Sequence, residues 1–205
     1  MSASKGPIDP ALPIVAARRL YFERAGLPAD GGYAARWVPL RIGPIPFAIP
    51  NTKSRRRAVP LHDVHHLVTG YATDWPGEGE ISAWEIGAGC GSFGFAWAIN
   101  LHGLVAGCVC GWRRTFRAFV RGRRSRSLYR ELDAAGQKTL GDDVLQRPLA
   151  AMQARLLVGE ADLAPRAGDV LAYAGWCAVA AAFAIATVAP IVVPIGLALR
   201  WLVGR

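Results

Sequence analysis

The chain has 205 residues, enough for one domain, or one domain with an appendage, to bury a real core. It is 52% hydrophobic and 19% charged, with a mean hydropathy of +0.22, and its net charge of +9 rests on 21 arginines against 3 lysines; together these favour an anionic membrane surface over nucleic acid as the partner. The four cysteines, Cys90, Cys108, Cys110 and Cys177, lie in apolar runs without CxxC spacing and read as small buried hydrophobes; a zinc ribbon or a disulfide framework is not supported.

Residues 1–60 are rich in proline and include WVPLRIGPIPFAIPN, an extended arm on the core or two short strands around Gly43-Pro44. The apolar stretch from Ala11 to Ala17 is short and runs into Arg18 and Arg19, so no signal peptide is read there. TKSRRR, 52–57, is a basic patch that reads as a solvated loop or a headgroup contact. From Leu61 to Thr69 the pattern is helical, with Pro60 near the first turn and Gly70 ending it. YATDWPG is turn chemistry. In it Asp74 is the expected N-cap of a second helix, with Pro76 just inside and Glu78 in the first turn.

Residues 86–112 carry no formal charge, yet contain Asn100 and His102. Their length suits a bilayer span, a buried core helix or an interfacial helix equally. Gly103, Gly107 and Gly111 recur every four residues as a smooth stripe for close helix contact. RRTFRAFVRGRRSRSLYR, 113–130, holds eight arginines and no acid; Arg113, Arg117, Arg121 and Arg124 line one side and Phe116, Phe119 and Val120 another. This is a basic amphipathic helix suited to anionic lipid, and no nucleic-acid module accompanies it. Residues 131–168 read as polar helix and loop. Residues 170–199 form a 30-residue run without charge, the strongest membrane signal, in which Pro190 and Pro194 would kink a helix or split it into a hairpin. The positive-inside bias disfavours two spans flanking the arginine segment, so one anchor is expected, with the core on the cytoplasmic face of a bacterial inner membrane.

Three of the four histidines fall in PLHDVHHLVTGYATDWPGEGEISAWE, 60–85. Residues three and four apart share a helix face, so His62 and His66 stack one turn apart with Asp63 beside them, while His65 points elsewhere. Two imidazoles at that spacing are half a site for a transition metal. Asp63 adds a third ligand or an acceptor for a ring N–H. The turn brings the next helix back, which makes Glu78 a carboxylate ligand and Glu85, two turns on, the reserve. Zinc, iron(II) and manganese all suit this donor set. HDVHH also reads as the HxxHH box of di-iron desaturases, but those sites need several such boxes and this chain has only four histidines.

His62, Asp63 and His66, then eleven residues, then Glu78, match HDxxHx(11)E. On this motif, and on HLVTGYATDWPGE, the arginine-rich stretch and PLAAMQARLLV, the chain resembles the coenzyme Q biosynthesis family of the fourth yeast ubiquinone-biosynthesis protein. The resemblance covers roughly residues 55 to 160. It implies an all-helical, membrane-peripheral protein with a divalent metal at His62, Asp63, His66 and Glu78. It further implies polyprenyl or other isoprenoid lipid as ligand, and other quinone-biosynthesis proteins or a second copy as partners. The implied reaction is oxidative decarboxylation at ring carbon 1 of a prenylated hydroxybenzoate; the alternative is a non-catalytic prenyl-lipid scaffold with a structural metal. The expected architecture is all-α: a proline-rich arm over 1–60, a helical metal-binding core over 61–168, and a hydrophobic membrane helix or hairpin over 169–205. The arm and the tail depart from the family pattern and alter the walls around the metal.

Overall fold

The computed structural model describes residues 6–42, 45–158 and 163–203. It is mostly helical among these residues. In chain order they form α1 (Ile14–Ala25), β1 (Trp37–Ile42), β2 (Ile45–Pro50), α2 (Lys53–Thr69), α3 (Trp75–Ala88), α4 (Gly94–Arg124), α5 (Leu128–Ala134), α6 (Asp142–Leu145), α7 (Leu149–Leu156) and α8 (Ala167–Val203).

The amino-terminal region takes the two-strand form of the expectation rather than that of an extended arm, and adds a helix. It holds α1 and an antiparallel pair, β1 against β2, in which Trp37 faces Pro50 and Ile42 faces Ile45. Gly43 and Pro44 lie outside the described residues. Proline is tolerated here because two strands leave each an open edge where no N–H is required. α1 in turn buries Ile14, Ala17 and Phe22.

α2 begins two turns before the expected start at Leu61. Thr52 caps it by accepting from the Arg55 N–H at 3.2 Å, so the basic patch is its first turn and a half rather than a loop, and Pro60 lies within the helix. Apolar Ala58, Leu61, Val64 and Val68 bind this longer helix to the core, which outweighs the N–H that Pro60 lacks. The boundary expected at residue 60 therefore falls inside one helix.

Two apolar clusters make up the core. One joins α1, α2, α5, α6 and α7 around Leu61, Tyr129 and Met152; the other joins α3, α4 and α8 around Trp84, Leu104 and Phe119. His65, between Trp84 and Tyr129 with ring centroids 5.0 Å from each, bridges them.

α4 is not straight. Its backbone leaves helical geometry at Gly111, and a β-carbon on Gly107 would lie 2.9 Å from the Thr115 hydroxyl oxygen. Eight residues along a straight helix are about 12 Å apart, so the chain reverses here. The first half runs antiparallel to α3, pairing Glu85 with Asn100 and Gly79 with Gly107; the second runs parallel to it, pairing Glu80 with Arg114 and Gly87 with Arg123. Gly103 and Gly107 make the close contact expected of the glycine stripe, but Gly111 does not: it occupies the reversal.

α8 runs as one helix through Pro190 and Pro194, so the hairpin alternative for the tail is not adopted. It packs on α4 through Trp176 stacked on Trp97, ring centroids 5.2 Å apart, and through Tyr173 against Phe116 and Phe119. Arg123 and Arg124 hold its first turn at Asp169, at 3.1 and 2.7 Å. Two stretches, Gly94–Ala134 and Ala167–Pro190, are long and apolar enough to cross a membrane by length and composition. Only the second is continuous, and Leu171, Ile185 and Val192 stand exposed along it.

Candidate metal centre

The site lies where α2 meets α3. Gly70, at φ 77°, ends α2 in a left-handed turn and donates its N–H to the His66 carbonyl. Four residues later Asp74 caps α3 by accepting from the Gly77 N–H at 2.9 Å. A β-carbon on Gly77 would sit 2.6 Å from the Ala72 carbonyl carbon, so only glycine permits this close return. The short turn delivers Glu78, in the first turn of α3, to the two histidines on α2. That position also favours its anionic form, because the unpaired N–H groups of a helix start carry partial positive charge.

His62 and His66 meet through Nε2 atoms 3.1 Å apart. Glu78 lies 3.5 Å from the first and 3.4 Å from the second, through different carboxylate oxygens. One ligand atom from each of the three residues falls within 4.8 Å of the others. The outer nitrogens decide what these atoms are. His66 Nδ1 lies 3.0 Å from the Tyr71 carbonyl oxygen, which can only accept, so Nδ1 carries the hydrogen. His62 Nδ1 lies 3.0 Å from Glu85 Oε1; burial works to raise that carboxyl's pKa, but the charge and hydrogen bonds of His62 and His65 outweigh it and hold the group ionised, so it too only accepts. Both inner nitrogens of the neutral rings therefore present lone pairs to each other and to a carboxylate. Such an arrangement repels itself unless a cation or a proton sits among them. The donor set fits a divalent metal of the zinc, iron(II) or manganese type.

Each predicted ligand can now be placed. His62, His66 and Glu78 converge. Asp63 stays outside that trio and accepts a hydrogen bond from the Tyr33 hydroxyl. Glu85, the reserve, reaches the outer nitrogen of His62 rather than the inner one. His65 is part of the same network although it faces away from the trio: Nδ1–H donates to Glu85 at 2.7 Å, and Nε2 accepts from the Leu128 N–H at 2.9 Å, an otherwise unpaired donor at the start of α5. Asn100 donates to the other Glu85 oxygen at 2.5 Å.

The electrostatics follow from this packing. Burial works to lower the His62 pKa, but Glu85 and Glu78 outweigh it and hold the ring well above its ordinary value. Burial likewise works to raise Glu78, yet hydrogen bonds and charge from His62 and His66 pull it down to about 2. Buried His65 is shifted the other way, downward, as its neutral role requires. Asp63 is raised by burial, which exceeds the pull of His62 and Tyr33.

A groove of about 970 Å³ opens beside the trio, lined among others by Tyr21, Arg24, His66, Tyr71, Asp74 and Gln153. The Tyr21 ring stacks on His66 at 5.9 Å between centroids and 24° between planes. Burial, with Asp63 and Glu78 nearby, raises the Tyr21 hydroxyl far above its usual pKa, so it stays a donor.

Sequence reasoning missed Tyr21, Tyr33 and the joint hold of His65 and Asn100 on Glu85. Asn100 left a signal, an amide inside a 27-residue run without charge; the tyrosines left none. The arginine helix is also partly internal wiring. Arg121 donates to the Thr69 carbonyl at 3.1 Å and Arg114 grips Glu80 through two bonds of 3.1 and 2.6 Å. Arg117 is exposed.

No family model, curated protein or solved structure matches the chain.

Proposed function

We propose that this is a membrane-associated, metal-dependent enzyme of prenylated-quinone biosynthesis, acting on the head group of a polyprenyl-benzoate-like lipid by oxidative decarboxylation at ring carbon 1. The observation that carries it is the meeting of two histidine lone pairs and the Glu78 carboxylate at one point, with both outer ring hydrogens committed elsewhere. The substrate class is what the resemblance to the coenzyme Q biosynthesis family on HDxxHx(11)E implies, and the exposed apolar length of α8 supports the membrane.

His62, His66 and Glu78 would hold the cation, which when bound supplies Lewis acidity or oxygen activation beside the head group. Glu85 and the Tyr71 carbonyl keep the two rings in the tautomer that presents Nε2 inward. The Glu78 side chain is 38% exposed, so the trio is reached from outside. In the groove, the Tyr21 hydroxyl is a donor for a ring oxygen and Arg24 places positive charge where a carboxylate would enter. Three protein donors are the ligand count of a catalytic rather than a closed structural site.

Metal analysis of detergent-purified protein tests the reading. Wild type should carry close to one ion per chain, and His62→Ala and Glu78→Ala should carry little. Equal metal in all three, or none in wild type, would sink the metal centre. Loaded protein that releases no carbon dioxide from a prenylated hydroxybenzoate would leave the scaffold alternative standing instead.

A further inference from the structure

Cys108 on α4 and Cys177 on α8 bring their sulfur atoms to 3.5 Å across the interface of the two helices, although 69 positions separate them in the chain. The Tyr173 hydroxyl lies 3.3 Å from the Cys108 sulfur. Both thiols are half-buried, while Cys110 is exposed and Cys90 is buried. A disulfide needs a sulfur–sulfur distance of about 2.05 Å, so closure asks for a side-chain rotation or a small slide of one helix. Neither thiol is fully buried, so a small uncharged reagent can reach them. This site shares no residue with the metal trio or the groove.

We propose that Cys108 and Cys177 form a redox latch, a reversible disulfide that ties α8 to α4, with a hydroperoxide as the two-electron oxidant. The Tyr173 hydroxyl is placed to donate a hydrogen bond to the Cys108 thiolate, which makes Cys108 the attacking sulfur. Its sulfur bonds to one peroxide oxygen as the O–O bond breaks, giving a sulfenic acid, and the other oxygen leaves as water or an alcohol. The Cys177 thiol then attacks that sulfur, forming the S–S bond and expelling water. Two thiols are oxidised and one peroxide is reduced, so atoms and electrons balance. The latch joins the helix that carries the longest apolar run to the hairpin that clasps α3. In the reduced chain α8 is held by non-covalent contacts, among them Asp169 with Arg123 and Arg124, the aromatic pairs and Thr187 with His102; in the oxidised chain the tie is covalent.

The test treats the full chain in detergent with hydrogen peroxide, alkylates the remaining free thiols, and maps the peptides with and without dithiothreitol. The expected product joins the peptides of Cys108 and Cys177, has lost the mass of two hydrogens, forms to the same extent at any protein dilution, and reverts with dithiothreitol. Cys110→Ser protein should give the same product, and Cys177→Ser protein should leave Cys108 as a sulfenic acid. Alkylation of both Cys108 and Cys177 after peroxide, or a bridge that runs through Cys110 between chains instead, overturns the proposal.

Discussion

His62 stands between two carboxylates, Glu85 on its outer nitrogen and Glu78 on its inner one, and that position sets how the site titrates. Its folded-state pKa is raised above the ordinary 6.5, so the stability it adds to the metal-free chain is fully present below that value and is lost as pH rises through the raised one. Glu78 behaves oppositely. Its pKa falls from 4.5 to about 2, so its contribution is present above 4.5 and is lost as pH drops toward 2. A cation must displace the His62 proton, so zinc affinity should rise by about tenfold per pH unit while that proton is bound; competition titrations across neutral pH check this, and a flat profile would contradict it. Glu85→Gln should weaken zinc binding by roughly 10- to 100-fold, since the carboxylate that fixes the His62 ring is replaced by an amide. Calorimetric titration reads this directly, and unchanged affinity would show that Glu85 does not orient the ring. The trio was legible because three- and four-residue spacing on a helix is a local property. The place of Asp63 was not, because the hydroxyl it meets comes from Tyr33, thirty positions earlier.

α3 is clasped by the two halves of α4, and the clasp is as tight as glycine allows. A β-carbon on Gly107 would stand 2.8 Å from the Gly79 Cα and 2.9 Å from the Thr115 hydroxyl oxygen. Gly107→Ala should therefore force α3 and the hairpin apart and cost about 1–3 kcal/mol despite the better helix propensity of alanine. Urea unfolding would measure it; a neutral or stabilising result would mean the hairpin opens without strain. The glycine stripe announced a close contact, and Gly103 and Gly107 make it. That Gly111 turns the chain instead of extending the stripe was not legible. An uncharged run of 27 residues reads alike whether it crosses a bilayer straight or folds back on itself.

As a whole, the molecule sets a polar, histidine-centred seam between two apolar clusters and leaves one long apolar helix largely uncovered. Ile185 is 67% exposed near the middle of the uncharged run of α8. Ile185→Arg should shift the protein from the membrane to the soluble fraction, because an arginine at the centre of a spanning helix costs about 2.5–3.5 kcal/mol. The core contacts of α8 through Tyr173, Trp176 and Ala180 do not involve residue 185, so the variant should still fold. Sedimentation of cell membranes gives the answer, and undiminished membrane retention would move the anchor elsewhere on the surface.

Local chemistry alone determined the pair of helices, the capped turn between them, and a ligand set that holds His62, His66 and Glu78 but also counted Asp63, because caps, turns and helical periodicity act over a few residues. Only the tertiary structure decided that Glu85 serves the outer nitrogen of His62, that His65 and Asn100 hold Glu85, that α4 reverses at Gly111, and that Cys108 meets Cys177. Each of those depends on how distant helices dock, and docking depends on the summed shape of many side chains rather than on any spacing along the chain.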